Sequence, residues 1–264
     1  MSVHESVRLH CKALRLPTIA QVAGETIMQA EKEAWPLETF LLYLFEQEMA
    51  GRQRRRIERL LKQAHLLEGK TLHSFDQDRL PLRIRRLLPE LSAGDFIQRA
   101  GNLLFFGLPG TGKSHLAAAL AYEWVQNDYS VLFTPTYKLV DGLLRAKRDY
   151  ELERELRRLD RFAVVILDDI GYVQQSLEEM EVLFTFLAER YERRSVVITS
   201  NLVFSEWNQI FKDPLTTAAA IDRVVHHSTI LEFGPEMTSY RAEAANRRHR
   251  PTNDQLQTEQ QQAM

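Results

Sequence analysis

From residue 102 onward, short apolar runs alternate with stretches of helical periodicity, and this alternation constrains the fold more than any other feature. The runs are rich in β-branched and aromatic residues, while the stretches near 113–127, 137–159 and 177–193 have helical spacing. Strands that alternate with helices form a parallel sheet covered on both faces. The sequence therefore predicts an α/β fold with five strands, at Asn102–Phe106, Ser130–Thr134, Phe162–Leu167, Ser195–Ser200 and Thr229–Phe233.

The first quarter of the chain has helical periodicity without such runs. Residues 4–34 are predicted to be helical with a break near Pro17. Apolar residues recur at i, i+3, i+4, i+7 and i+8 from Leu37, which predicts an amphipathic helix over 37–66, with Gly51 as its weakest point. We therefore expect a small all-helical N-terminal domain over 1–66, a connector over 67–101, an α/β domain over 102–245, and a Gln-rich disordered tail over 246–264.

Composition excludes several classes of protein. The chain of 264 residues is 44% hydrophobic and 27% charged, which is the balance of a globular protein. Its longest run without a charged residue, Ala100–Gly112, has 13 residues, fewer than the roughly 18 that a membrane helix needs. The single Cys11 excludes a disulfide framework and a Cys-rich zinc module. Because the first ten residues lack an apolar stretch, we expect a cytoplasmic protein with no membrane partner.

Charge is distributed unevenly along the chain. The net charge is −2, yet residues 50–99 carry +6. A basic block beside an acidic body favours an anionic partner such as DNA, although a solvated helix face gives the same pattern. The densest group of cations lies on a predicted helix and comprises Arg52, Arg54, Arg55, Arg56, Arg59 and Lys62. Four of them can share one helix face and neutralise phosphates: Arg52, Arg55, Arg56 and Arg59.

The loop after the first predicted strand matches the pattern G-x-x-x-x-G-K-S in full. It runs from Gly107 to Ser114 and opens a predicted helix, which is the context that a phosphate-binding loop requires. Glycines let backbone N–H groups surround an anion, and the helix N-terminus adds partial positive charge. We expect Lys113 to reach the β- and γ-phosphates and Ser114 to be a Mg²⁺ ligand. The predicted nucleotide-binding residues are Gly107, Pro109, Gly110, Thr111, Gly112, Lys113, Ser114 and His115.

Two adjacent carboxylates follow the third predicted strand. Asp168 and Asp169 come directly after four apolar residues, at the edge of an open α/β sheet where ligands bind. Asp168 is the expected Mg²⁺ ligand, and Asp169 the residue that orients an attacking water. A plain turn after a strand is the alternative. Because the chain contains no Asn-Lys-x-Asp signature, ATP is favoured over GTP.

Further polar residues follow the later predicted elements. Asn201, after the fourth strand, is a candidate to contact the γ-phosphate or the water, with a strand-end turn as the alternative. Arg223 is a candidate arginine finger for a neighbouring subunit, with a surface pair to Asp222 as the alternative. Arg241 is a second, weaker nucleotide-binding candidate. The adjacent His226 and His227 are interpreted as structural, because they lack a third metal ligand in the sequence.

Together these motifs resemble the transposition helper ATPases called IstB, which stand beside the helicase loader DnaC in the initiator branch of AAA+ proteins. The resemblance covers about Leu37 to Arg241. Its landmarks are collinear: Lys70–Asp76, Asn102–Ala117, Asp168–Tyr172, Arg190–Glu192, Thr199–Asn201, Ile221–His226 and Ser239–Arg241.

The resemblance implies a helical N-terminal domain before an AAA+ core with five parallel strands. It implies a bacterial homo-oligomer with ATP and Mg²⁺ between subunits, so that Arg223 acts in trans. It also implies ATP-dependent assembly on duplex DNA with little sequence preference, which recruits and stimulates the partner transposase. In initiator-type AAA+ proteins, the helix after the second strand faces nucleic acid, and its cations here are Lys138, Arg145, Lys147 and Arg148.

Two departures from the family pattern keep alternatives open. The acid after the magnesium ligand is often Glu in AAA+ proteins and is Asp169 here, which leaves open a nucleotide-switched adaptor with little hydrolysis. No Arg-bearing lid helix is evident, so Arg241 is a candidate substitute for the arginine of that helix.

Neither cationic region has interleaved aromatic residues, which favours phosphate contact over base stacking. A helicase loader that binds single-stranded DNA and a replicative helicase is the other alternative.

Overall fold

The computed structural model describes residues 3–172, 176–207, 210 and 214–234. The chain divides into two compact units, residues 1–62 and 63–264. The first unit is helical and contains α1 (Val3–Ala13), α2 (Pro17–Lys32) and most of α3 (Leu37–Ala64). Pro17 occupies the first turn of α2, where its missing N–H costs no hydrogen bond. A small core joins these helices, with its buried side chains at Cys11, Ile19, Ala23 and Leu44.

A buried carboxylate holds α2 against α3. Glu48 of α3 accepts hydrogen bonds from the backbone N–H groups of Thr18 and Ile19, at 2.8 and 3.1 Å. It thereby caps the N-terminus of a helix about 30 residues earlier in the chain. Arg52 and Arg55 donate to the other Glu48 oxygen at 3.0 and 3.2 Å. The free energy of unfolding of this unit therefore depends on one ionised side chain.

The second unit contains the α/β fold. Before the sheet come α4 (Leu82–Ala93) and α5 (Asp95–Gln98), and a 3₁₀ turn lies at Gln77–Arg79. The strands are β1 (Asn102–Gly107), β2 (Val131–Pro135), β3 (Val164–Asp168), β4 (Ser195–Ser200) and β5 (Ser228–Phe233). The helices between them are α6 (Lys113–Gln126), α7 (Thr136–Arg148), α8 (Leu152–Leu159), α9 (Leu177–Arg190) and α10 (Pro214–Val225), with 3₁₀ turns at Ile170–Tyr172 and Phe204–Glu206.

All five strands are parallel, in the order β2-β3-β4-β1-β5. The three central strands are almost completely buried, as expected for a sheet covered on both faces. The order places the carboxyl ends of β3, β4 and β1 side by side. The predicted fold class, an α/β core with a five-stranded parallel sheet after N-terminal helices, is confirmed.

Several predicted elements differ from the observed ones. The helix predicted over 137–159 is two helices, because Tyr150 adopts a left-handed φ of 58° and ends α7 without a glycine to mark the break. The helix predicted to weaken at Gly51 is continuous, and the missing side chain of this glycine leaves room for the Thr18 side chain. The segment 67–101, predicted as a connector, contains α4 and α5 and lies within the second unit.

A buried guanidinium fixes the amino ends of two strands. Arg190, 2% exposed, donates to the carbonyl oxygens of Leu159, Phe162, Ala163 and Ser195 at 2.9–3.3 Å. Burial lowers the pKa of Arg190 to about 9, so it stays charged at neutral pH. Only arginine combines five donors with this planar spread, so lysine cannot make the same set of bonds.

None of the helices in the described part of the chain is both long enough and apolar enough to cross a membrane.

Candidate functional site

The loop predicted to bind phosphate joins β1 to α6 and depends on its glycines. Gly107 has a φ of 151°, and a Cβ there would come within 2.6 Å of the Phe233 carbonyl oxygen in β5. Gly112 caps α6 with a φ of 97°, and a Cβ there would press on the Phe75 ring at 3.2 Å. Side chains larger than hydrogen would therefore distort the loop at both ends.

Within this loop the lysine is held close to the backbone. Lys113 is 7% exposed, and its Nζ donates to the carbonyl oxygens of Gly107 and Leu108 at 2.7 and 2.9 Å. The Thr111 hydroxyl donates to the same Leu108 carbonyl at 2.9 Å. An ammonium at the N-terminus of a helix, inside a glycine-rich loop, is suited to an anionic phosphate chain.

The two predicted carboxylates lie at the carboxyl edge of the sheet, as the sequence predicts. Asp168 is the last residue of β3, and Asp169 follows it with a left-handed φ of 62°. The buried hydroxyl of Thr199, in neighbouring β4, donates to Asp168 Oδ1 at 2.7 Å. It also accepts from the Asp169 backbone N–H at 2.8 Å. One hydroxyl thus positions both acids, and sequence reasoning assigned it no role.

Asn201 lies beyond the end of β4, beside the acids. Its Oδ1 is buried and accepts no hydrogen bond from a described residue. It packs against Gly171, where an added Cβ would collide with Oδ1 and with Leu202. A buried amide oxygen without a described donor, at a ligand-binding sheet edge, is suited to accept from a water, while the amide N–H₂ group is the part that could donate to a phosphate oxygen.

A segment that the sequence left without a role covers the loop. Residues 67–79 and the loop enclose a cavity of about 350 Å³. Phe75 meets His115 edge-to-face with ring centroids 4.9 Å apart, and Ser74 Oγ lies 3.3 Å from His115 Nε2. Burial, and then the charge of Lys70, lowers the pKa of His115, so its ring is neutral at pH 7. The sequence did point to this segment, because Lys70–Asp76 is one of the landmarks of the family resemblance.

Arg223 lies on α10, away from any direct bond to the loop. Its Nη1 donates to the Ala219 carbonyl at 3.1 Å, and its guanidinium lies 4.8 Å from the centre of the Phe184 ring. Among the described residues, no hydrogen bond or ion pair joins it to the loop of its own chain. Arg241 and the predicted tail lie outside the described residues.

The cations of α3 divide into two groups. Arg52 and Arg55 are engaged with Glu48, and they also donate to the Arg15 carbonyl and the Thr18 hydroxyl at 2.9 Å. Both guanidinium groups are therefore engaged within the first unit, although a single carboxylate offsets only one of their two positive charges. The exposed cations of α3 beyond them are Arg54, Arg56, Arg59 and Lys62.

The cations of α7 divide in the same way. Arg145 pairs with Asp141 at 2.6 Å and Lys147 with Glu181 at 2.7 Å. Lys138 and Arg148, both exposed, form no ion pair with another described residue. No aromatic residue is interleaved between these two cations, as the sequence indicates. Two flanking tyrosines are exposed, Tyr137 by 57% and Tyr150 by 98%.

The donor set of the site fits a hard divalent cation. The Asp168 carboxylate and the Ser114 hydroxyl are oxygen ligands of the kind that Mg²⁺ prefers, and both belong to the carboxyl edge of the sheet. When bound, Mg²⁺ would neutralise charge on phosphate oxygens. The loop, the acid pair and the cavity beneath residues 67–79 fit a nucleoside triphosphate.

A parallel sheet in this order, with the phosphate loop after β1 and an acid pair after β3, defines a P-loop protein of the AAA+ class. The sequence profile of the family described as IstB-like ATP binding protein matches residues 9–248, and the chain belongs to this family. The resemblance found from the sequence motifs is thus confirmed.

Related proteins and structures agree. An insertion sequence ATP-binding protein of Sinorhizobium fredii is 46% identical over 238 residues, 90% of this chain and 80% of that protein. The ATP-binding protein of insertion sequence IS21 of Pseudomonas aeruginosa is 38% identical over 86% of this chain and 85% of its own length. The crystal structure of the DnaC helicase loader aligns with a TM-score of 0.53 and 17% identity, over 62% of this chain and 97% of that one, which shows the shared fold.

Proposed function

We propose that this protein is an ATPase that assembles on duplex DNA and recruits the transposase of the same insertion element. The observation that carries the ATPase part is the geometry of the sheet edge. There the phosphate loop lies at the same edge as Asp168 and Asp169, and Thr199 bonds the carboxylate of the first and the backbone N–H of the second. The membership of this chain in an ATP-binding family supports ATP as the nucleotide.

In this proposal each residue of the edge has a task. When the nucleotide binds, Lys113 gives up its hydrogen bonds to the loop carbonyls and donates to the β- and γ-phosphates. The N-terminus of α6 binds the same phosphate chain. Asp169 orients a water for attack, and Asn201 contacts that water or the γ-phosphate. Phe75 and His115 line the cavity next to the loop and bound the space for the base or ribose. The short reach of Asp169 leads us to expect slow turnover that DNA and the transposase stimulate.

The proposed subunit contact is through Arg223. Its observed bonds are to its own helix and to a Phe184 ring face, and these are weak enough to be exchanged for a phosphate oxygen. We propose that it reaches the nucleotide of a neighbouring subunit, so that ATP joins subunits and its hydrolysis separates them.

The proposed DNA contact is through α7. Lys138 and Arg148 lie at opposite ends of this helix and are not compensated by described acids, unlike Arg145 and Lys147. The two cations are ten residues apart on α7, about 15 Å along the helix axis, enough to follow several phosphates. Phosphate contacts without base readout account for assembly with little sequence preference.

The partner follows from the relatives. Those described above are ATP-binding proteins of insertion sequences, and such an element moves through its transposase. We therefore propose that the transposase binds the assembled, DNA-bound form of this protein.

Fluorescence anisotropy with labelled duplex and single-stranded DNA tests the proposal. Measurements without nucleotide, with ADP, and with ATP and Mg²⁺ would use wild type, Lys113→Ala and, as a control, Lys32→Ala on the helical unit. We expect ATP-dependent duplex binding in wild type and Lys32→Ala, with its loss in Lys113→Ala. Duplex binding that ignores both nucleotide and Lys113 would contradict the proposal.

One observation favours a second candidate, a helicase loader. The exposed rings of Tyr137 and Tyr150 next to Lys138 and Arg148 could stack on unpaired bases. In that case the same titration would show at least a tenfold preference for single-stranded DNA. Replacement of both tyrosines by alanine would then remove the preference.

A further inference from the structure

We infer that Glu192, His226 and His227 form a binding site for a divalent transition metal such as Zn²⁺. Glu192 lies in the turn between α9 and β4, and the two histidines lie in the turn between α10 and β5. One potential ligand atom of each side chain lies within 4.8 Å of the other two. The sequence shows no third ligand for these histidines, whereas the fold brings a carboxylate from another turn next to them.

The distances are close to those that a metal ion imposes. His227 Nε2 lies 3.4 Å from Glu192 Oε1, and His226 Nδ1 lies 3.9 Å from the same oxygen. Around a tetrahedral ion with bonds near 2.1 Å, neighbouring donors are about 3.4 Å apart. All three side chains are about half exposed, so small rotations of their side chains bring the donors to this spacing.

The backbone that carries the three residues is fixed independently of any ion. The His227 carbonyl accepts from the Asn102 N–H at 2.8 Å, and the His226 N–H donates to the Asp222 carbonyl at 3.0 Å. Glu192 has a left-handed φ of 56° in the turn that follows the buried Arg190. Binding therefore costs the ordering of a few side chains and no rearrangement of the chain.

A fourth group lies at the same place. The Tyr191 hydroxyl is 2.9 Å from His226 Nδ1 and orients this ring. Because this is the same nitrogen that faces Glu192, a bound ion would replace the Tyr191 hydrogen bond or take the phenol oxygen as a further ligand. With water or the phenol completing the coordination, the set of donors is tetrahedral.

The donor chemistry selects the class of ion. Two imidazoles and one carboxylate favour borderline ions such as Zn²⁺, Co²⁺ or Ni²⁺, whereas Mg²⁺ prefers an all-oxygen set. The cluster precedes β4 and β5, at the amino edge of the sheet, opposite the edge that carries Asp168. It is therefore separate from the proposed nucleotide site. Because Arg223 precedes His226 by one helical turn on α10, a bound ion would anchor the helix end that carries it.

Titration calorimetry with ZnCl₂ and the full-length, tag-free protein in the absence of nucleotide tests this inference. We expect one Zn²⁺ per chain at this site, with visible absorption bands of tetrahedral geometry when Co²⁺ replaces it. His226→Asn, His227→Asn and Glu192→Gln should each weaken binding at least tenfold. His73→Asn, an exposed histidine elsewhere in the same unit, is the matched control and should bind as wild type does.

The double variant His226→Asn/His227→Asn decides the outcome. If wild type binds no Zn²⁺, or if the double variant binds it with unchanged stoichiometry and affinity, the three residues are only an ion-paired cluster. Circular dichroism and binding of a fluorescent ATP analogue report folding and the nucleotide site separately. A failure of the metal inference therefore leaves the ATPase proposal unaffected, and the reverse also holds. Glu192→Gln, at an exposed position, keeps the test informative if the histidine variants fold poorly.

Discussion

The Thr199 hydroxyl donates to Asp168 at 2.7 Å across two neighbouring strands. Because the same oxygen also accepts from the Asp169 N–H, the geometry of the acid pair after β3 depends on a side chain of β4. A displacement of β4 would therefore move the Asp168 carboxylate and the Asp169 backbone relative to the phosphate loop.

Replacement of Thr199 by valine, which keeps the shape and removes the hydroxyl, should lower the rate of ATP hydrolysis about 10- to 100-fold. The Kd for a fluorescent ATP analogue should change less, because Lys113 and the loop remain intact. Steady-state phosphate release and analogue titration measure the two quantities. Thr199→Ser restores the hydroxyl and should restore turnover, whereas a fully active Thr199→Val would remove the positioning role.

A methyl group at Gly171 should displace Asn201, because its Cβ would collide with the amide oxygen. A shift of about 1 Å in a group that positions water can cost about 100-fold in rate, so we expect slow hydrolysis with retained nucleotide binding. The matched control is Gly142→Ala, since a Cβ at that position meets no atom within 4 Å. Equal turnover in the two variants would argue against a role for Asn201.

Replacement of Arg223 by alanine should reduce turnover by about 10³-fold or more while nucleotide affinity stays nearly unchanged, as for an arginine finger supplied in trans. Mixing this variant with Lys113→Ala gives a decisive measurement. Each variant is inactive alone in our proposal, but a mixed interface contains one intact loop and one intact Arg223. Recovery of activity in the mixture is expected, and its absence in the presence of mixed oligomers would count against a trans role.

Charge reversal at Lys138 and Arg148 should weaken DNA binding and flatten its salt dependence by about 2 in the log–log slope, one for each phosphate contact. Anisotropy at several salt concentrations measures this slope. Reversal of Arg145 and Lys147 is the comparison, and it should have a smaller effect because Asp141 and Glu181 already compensate those charges. If reversal of Arg145 and Lys147 weakened DNA binding more than reversal of Lys138 and Arg148, our assignment of the DNA-contacting cations would be wrong.

Replacement of Glu48 by alanine should destabilise the helical unit by about 3 kcal/mol, since it leaves two helix N–H groups and two guanidinium groups without their acceptor. Hydrogen exchange of the Thr18 and Ile19 amides reports this locally. Glu46→Ala, an exposed neighbour on the same helix, is the control. Protected amides in Glu48→Ala would show that the cap contributes little.

The same carboxylate predicts a pH dependence. Burial raises the pKa of Glu48, but hydrogen bonds from Arg52 and from the backbone of Ile19 and Thr18 outweigh it, so the pKa lies below its ordinary value of 4.5. The stabilisation is therefore complete above about pH 4.5 and is lost as pH falls through the lower, folded-state value. The difference in the free energy of unfolding between wild type and Glu48→Ala should therefore become smaller as the pH falls into the acid range.

The sequence predicts the sheet because central strands are continuous apolar runs, and it predicts the loop and acid pair because each follows such a run. It does not reveal the break at Tyr150, since a left-handed tyrosine leaves no compositional mark. It also cannot show that Glu48 caps α2 through Thr18, or that Glu192 meets His226. Those contacts join elements 30 or more residues apart in the chain, and no local periodicity reports them.

The contact between Gly107 and the Phe233 carbonyl has a consequence for biosynthesis. A ribosome completes the loop from Gly107 to Ser114 long before it reaches β5, so the nascent chain lacks the strand that packs against the first glycine. A stop codon between residues 115 and 232 would release a chain that has the whole motif but lacks the complete last strand beside its first glycine. We therefore expect the newly made protein to bind nucleotide only after translation has passed this strand.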